Sequence, residues 1–178
     1  MLEKVLEANR EFVEAVKNGE TQSIVDSKAQ RKALIFTCID TRLVNFLEKA
    51  MGFKRGDVKV IKNPGNVIRE DCGDVIRSIA IAALMMGIEE VYVVGHLDCG
   101  MKKQTAEEIA NMMIQRGIDP EIVKNTDIKK WAGIIDDEED NVRDAVEKIK
   151  NSPYMPKDVR VYGLLMCPDT GELKVISE

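Results

Sequence analysis

Gly95-His96-Leu97-Asp98-Cys99-Gly100-Met101 follows directly on Val91-Tyr92-Val93-Val94. The apolar, β-forming run reads as a strand from Glu90 to Gly95, and the quoted segment as the chain leaving its carboxyl end. His96 is the one histidine of the 178-residue chain. Cys99 lies three positions further on, a spacing that lets an imidazole and a thiolate reach one metal. A second stretch has the same setting: Ala33-Leu34-Ile35-Phe36-Thr37 runs into Cys38, followed by Ile39-Asp40-Thr41-Arg42.

Working outward, Lys32 to Cys38 is almost continuously apolar, as expected of a strand covered on both faces of a parallel sheet. Asp40 or Thr41 is placed to cap a short helix, with Leu43, Val44, Phe46 and Leu47 on its buried face. Val58 to Ile61 is a further strand, ending in the turn Asn63-Pro64-Gly65-Asn66. A helix follows over about 74–86, with Ile76, Ile79, Ala80, Ala83 and Leu84 toward the core and Gly87 as its stop. Residues 103–116 read as helix and 118–137 as irregular. The acidic run Asp136 to Asp140 reads as the start of a helix ending near Lys150, since carboxylates favour the positive end of the helix dipole. Val159 to Met166 and Leu173 to Ile176 form a terminal hairpin through Pro168-Asp169-Thr170-Gly171.

Strands alternating with helices predict an α/β fold: a mostly parallel central sheet of four strands, order 2-1-3-4, with a C-terminal antiparallel strand and flanking helices. Ligands in such sheets bind beyond the carboxyl ends of strands, where the winding direction reverses. Cys38 ends one strand, and His96 and Cys99 end another. If these strands are neighbours with connections on opposite faces, the three side chains converge. The reading is one domain over 1–178, with a helical arm at about 1–20. That arm carries Leu2, Val5, Leu6, Phe12, Val13 and Val16 near helical spacing, a pattern that predicts packing against a neighbour.

Composition narrows the classes. At 44% apolar and 32% charged residues the chain is globular rather than disordered. A net charge of −5 and 4% aromatics argue against a nucleic-acid surface. No apolar run approaches the roughly 18 residues of a membrane span. The acidic start, Met1-Leu2-Glu3-Lys4, has no signal-peptide pattern, so a cytoplasmic protein is expected. In that reducing setting the cysteines at 38, 72, 99 and 167 suggest metal or catalytic thiols rather than disulfides. Cys72 and Cys167 read as small core residues rather than further ligands.

Two thiolates and an imidazole suit tetrahedral zinc, and three protein ligands leave the open position of a catalytic site. Asp40 beside Arg42 is a carboxylate held ionised by a planar cation, able to orient a metal-bound water. Cys38-Ile39-Asp40-Thr41-Arg42, Asn63-Pro64-Gly65-Asn66 and Gly95 to Met101 together resemble the signatures of the β-class carbonic anhydrases, in their short prokaryotic and archaeal branch. Thr41 stands where that family usually has Ser or Ala, and Pro64 where it usually has Ala. Pro64 removes a backbone donor and stiffens the turn.

The resemblance implies one Zn²⁺ per chain on Cys38, His96 and Cys99. It implies reversible hydration of carbon dioxide to bicarbonate and a proton by a zinc-bound hydroxide. Asp40 and Arg42 would be the catalytic pair, and Gly65 and Gly100 the substrate-facing positions. In some members the equivalent Asp instead binds the zinc and closes the site. The sole histidine would then be a ligand, so the proton would leave through external buffer, with Asp98 as a candidate aid whose competing reading is a helix cap. A homodimer or larger homo-oligomer is expected, without nucleic-acid or membrane partners. Rival readings are hydrolysis of carbonyl sulfide or carbon disulfide, a metal-free thiol enzyme, and a non-catalytic zinc-binding protein.

Two thiolates neutralise more of the metal's charge than neutral imidazoles do, so the bound water should be less acidic than in a tris-histidine site, where its pKa is about 7. Stopped-flow hydration measured against pH should rise above that value; a flat profile into acid would contradict the ligand set.

Overall fold

A computed structural model describes residues 1–21, 25–70 and 73–178. Five strands form one sheet: β1 (Ala33–Cys38), β2 (Val58–Asn63), β3 (Glu90–His96), β4 (Arg160–Met166) and β5 (Leu173–Ser177). Their spatial order is β2-β1-β3-β4-β5. The first four are parallel and β5 pairs antiparallel with β4. The order and the antiparallel end agree with the sequence-based expectation.

All six residues of β1 are buried, as its unbroken apolar run predicts. On one face Leu34, Phe36, Val91, Val93, Val161 and Leu165 meet α3 (Asp74–Met86) and α8 (Glu138–Asn151). On the other, Ile35, Val94 and Met166 meet Leu43, Leu47 and Ile135, with Cys38 and Cys99 in the same cluster. The β1–β2 connection, which carries α2 (Leu47–Ala50), therefore crosses one face, and the β2–β3 and β3–β4 connections cross the other. The winding reverses between β1 and β3, which opens a crevice at their carboxyl ends.

Helix α3 matches its expected limits, and Gly87 closes it in the left-handed conformation at φ 71°. Its buried face is rotated from the expected one. Ile76, Ile79, Ala80 and Ala82 are buried, whereas Leu84 is 66% exposed and Ala83 lies at the border. After β1 the turn Thr41–Leu43 is capped by Asp40, but of the four apolar residues expected inside only Leu43 and Leu47 are buried. Val44 and Phe46 face outward.

The helix expected over 103–116 is two: α4 (Gly100–Lys103) and α5 (Ala106–Gln115). Thr105 begins α5 with a reciprocal capping box to Glu108, satisfying two backbone donors that would otherwise be orphaned. The stretch expected to be irregular holds α6 (Pro120–Lys124) and α7 (Ile128–Ala132), capped by Asp119 and Asp127. The acidic run does start a helix: Asp137 caps α8 by accepting from the Glu139 and Asp140 amides. Helix α1 (Leu2–Lys17) forms as expected, yet none of its residues is buried. Its apolar residues Leu2, Val5, Leu6 and Phe12 are exposed. Among the described residues no helix is long and apolar enough to cross a membrane.

Helix α8 sits against the sheet through two glycines. A Cβ on Gly163 would lie 2.8 Å from Val142 Cγ1 and 3.1 Å from Val146 Cγ2; one on Gly95 would lie 2.6 Å from Val142 Cγ2. These contacts are too close for carbon, so any side chain must push the helix away. Gly163→Ala should cost about 1–3 kcal/mol of stability, read as a lower midpoint with unchanged slope in urea unfolding.

Candidate metal centre

Cys38 is the last residue of β1 and His96 the last of β3. The strands run side by side, with Thr37 opposite Val94. Thr37 Oγ1 donates to the Val94 carbonyl at 2.7 Å, which joins the strand ends below the crevice. Cys99 follows as the residue before α4. The Cys38 and Cys99 sulfurs and a His96 ring nitrogen all lie within 4.8 Å of one another, and all three residues are buried. Cys167 is half-buried in the terminal turn, outside this group; Cys72 lies outside the described residues.

The donor set fits a metal. His96 Nδ1 lies 2.9 Å from the Leu97 carbonyl, so it carries the ring proton and donates it. That leaves Nε2 with its lone pair, buried and without a hydrogen-bond partner, which is costly unless something accepts it. Donors sharing one zinc at about 2.3 Å lie no more than about 4.6 Å apart, close to the spacing seen here.

The two thiols share charge. Cys38 is lowered to about 4, first by the Cys99 thiol donating to it and, against burial, by His96 and the Asp40 and Gly65 amides. The Gly65 amide donates to Cys38 Sγ at 3.2 Å. Cys99 is pushed up, first by giving its proton to Cys38 and then by burial. Burial pulls His96 down, but the neighbouring Cys38 sulfur, the Leu97 carbonyl and Asp40 together carry it above its ordinary value. An arriving cation would replace the proton between the sulfurs.

Asp40 stands beside this group. Its Oδ2 lies 3.8 Å from His96 Nε2, but Arg42 holds it. Arg42 Nη2 donates to Oδ2 at 2.8 Å, and Nε reaches Oδ1 and Oδ2 at 3.1 and 3.2 Å. The Arg42 amide adds a bond to Oδ1 at 2.9 Å. The Arg42 guanidinium, before any other cause, lowers Asp40 to about 2. Asp98 does not cap α4, whose N-cap is Cys99 without a side-chain bond. Its carboxylate meets Arg42 Nη1 at 3.2 Å and pairs with Lys103.

Gly65 has φ +69°, and a Cβ there would come within 3.2 Å of Met101 and Val67. The left-handed turn favours glycine, and a side chain there would crowd Met101 and Val67. Gly100 has open space around its Cα. Pro64 begins the short turn Pro64–Asn66 and lines a cavity of about 470 Å³ with Met101, Ile109 and Trp131. None of the three buried donors lines this cavity.

Sequence reading missed the layer behind the site. Asn141 of α8 donates to the Gly65 carbonyl at 2.9 Å. Lys102 bonds Glu138, which is 8% exposed, at 2.5 Å. These contacts fasten both glycine turns to α8. Helical spacing of Asp137, Glu138 and Asn141 placed them near a helix start, but nothing local paired them with residues some 35 to 76 positions away.

Two cysteines and a histidine that could hold a metal stand together at the β1–β3 switch point, and the comparisons place the whole chain in one family. The family model described as carbonic anhydrase matches residues 33–173, and the chain belongs to the β-class carbonic anhydrases, a family of enzymes. The solved β-carbonic anhydrase isoform I of the protozoan Trichomonas vaginalis is similar at 35% identity and TM-score 0.92, over 100% of this chain and 98% of that one. The Bacillus subtilis (strain 168) protein YvdA is 37% identical over 180 aligned positions, covering 98% of this chain and 90% of that protein. A carbon disulfide hydrolase of Acidianus sp. (strain A1-3) is 30% identical, over 81% of this chain and 76% of its own.

Replacing Cys38 or Cys99 by Ser, or His96 by Ala, should each remove most bound metal from a protein that otherwise carries about one ion per chain, as three ligands on one ion require. Elemental analysis of the purified proteins, with circular dichroism to confirm folding, measures this.

Proposed function

We propose that this chain binds one Zn²⁺ through Cys38, His96 and Cys99 and catalyses the reversible hydration of carbon dioxide to bicarbonate and a proton. The observation that carries the reading is the buried, unpartnered His96 Nε2, on a ring grouped within 4.8 Å of two cysteine sulfurs and beside a carboxylate that Arg42 keeps ionised. Zinc in this position would supply a Lewis acid that makes a bound water nucleophilic near neutral pH.

The residues have separate tasks. Asp40 accepts a hydrogen bond from the attacking water and turns its lone pair toward the substrate. Arg42 holds Asp40 in place for this. The Gly65 amide, donating to Cys38, favours the thiolate that a metal needs. Gly65 and Gly100 form the substrate side: one admits the close turn, and the other leaves room for a small linear molecule. Asp98, lowered by Lys103 and then Arg42, is a weak base near neutrality, so the proton leaves to external buffer.

The chain acts as a single domain over residues 1–178 with an N-terminal arm of about 1–20, in the cytoplasm, as a homodimer or larger assembly. Support for assembly comes from α1, which exposes Leu2, Val5, Leu6 and Phe12, and from Ile39, Val44 and Leu97, which stay exposed around the site. A second reading, hydrolysis of carbon disulfide or carbonyl sulfide at the same centre, is favoured by the similarity to the Acidianus enzyme.

Zinc-loaded wild type should hydrate carbon dioxide, and Asp40→Ala should lose about 100-fold or more, in the range of a positioned acid–base group, while keeping its zinc. Parallel assays with carbon disulfide separate the readings: turnover of carbon disulfide without hydration of carbon dioxide would overturn the first.

A further inference from the structure

We infer that Asp98, with Lys103 behind it, is a positioning residue that holds Arg42 in the orientation that grips Asp40. The inference rests on the assignment of Asp40 as the water-orienting group. Arg42 is bracketed on two edges. Nε and Nη2 face Asp40. Nη1 donates to Asp98 Oδ2 at 3.2 Å and Nη2 to the Asp98 carbonyl at 3.1 Å. Lys103 pairs with the other carboxylate oxygen, Oδ1. Asp98 thus meets cations on both oxygens and lends its backbone as well.

This second anchor matters because Arg42 is long and its side chain is 37% exposed. A lone pair at such a position restrains little, since solvent screens it and both side chains lose rotamer freedom. A guanidinium held on two edges has lost that freedom before it meets Asp40, so its grip is pre-organised. The backbone is committed to the same end. Asp98 adopts φ +60°, a left-handed conformation that Asp and Asn tolerate better than most residues. In this turn its carbonyl and carboxylate both face Arg42. The turn lies between His96 and Cys99, so one loop sets two metal donors and the anchor. Lys103 closes α4, one helical turn further on.

The test uses metal-free protein labelled with ¹⁵N and follows hydrogen exchange of the Arg42 Nε–H, assigned by comparison with Arg42→Lys. Asp98→Asn keeps the left-handed turn and removes the charge. Lys103→Met removes the second cation, and Lys103→Arg keeps it. Exchange should quicken about fivefold or more in Asp98→Asn and by a smaller factor in Lys103→Met, and return to the wild-type rate in Lys103→Arg. In the zinc-loaded proteins kcat for carbon dioxide should fall in the same order with KM unchanged. Wild-type exchange in Asp98→Asn and Lys103→Met overturns the inference. Because exchange is read without metal or substrate, it decides the matter even if wild type fails to hydrate carbon dioxide, a result that would instead overturn the assigned reaction.

Discussion

Everything at the site depends on β1 lying beside β3 in one register. Ile35, Phe36, Val93 and Val94 are fully buried, and the Thr37 hydroxyl bonds across to the Val94 carbonyl. A slip of one residue would turn each apolar side chain to the opposite face. The register is therefore held by the core, far more strongly than the few polar contacts at the site could hold it. Cys38 and His96 meet because the hydrophobic pairing beneath them leaves the two strand ends level.

Above that base, the polar atoms are satisfied in layers. Gly65 donates to Cys38, and Asn141 holds the Gly65 carbonyl. Lys102 carries the Cys99 turn to the buried Glu138. Helix α8 reaches these groups because Gly95 and Gly163 let it settle onto the sheet. Packing and chemistry are thus linked: the glycines that bring α8 close also bring Asn141 and Glu138 behind the Cys38, His96 and Cys99 cluster. Among the described residues His96 Nε2 and Asn66 Nδ2 stay buried without a partner beside these turns, and a metal is what would complete the first.

Much of this was legible in the residue order. Continuous apolar runs marked β1 and β3 as doubly covered strands, and alternation with helices implied the switch point. Other features differ from what the residue order predicts, for identifiable reasons. The face of α3 was placed one position off at Ala83, because small residues at 80, 82 and 83 satisfy more than one helical phase. Hydrophobicity alone places Val44 and Phe46 inside, yet both lie in the link between the turn Thr41–Leu43 and α2, where only the flanking Leu43 and Leu47 are buried. Helices α6 and α7 were passed over although Asp119-Pro120 and Asp127 are ordinary helix starts; five-residue helices are too short for periodicity to register.

By itself the sequence marked the candidate donors and their local setting: two cysteines and the sole histidine at the ends of apolar strands, and a carboxylate two residues from an arginine. Such properties are local, set by side-chain chemistry and strand patterning. Only the tertiary structure decided that Asp40 is turned to Arg42, that Asp98 grips the same guanidinium instead of capping α4, and that Glu138 and Asn141 stand behind the glycine turns. Those pairings join residues 36 to 76 positions apart, or depend on how one turn is bent. No local pattern encodes such distances; the closing of the sheet and the seating of α8 do.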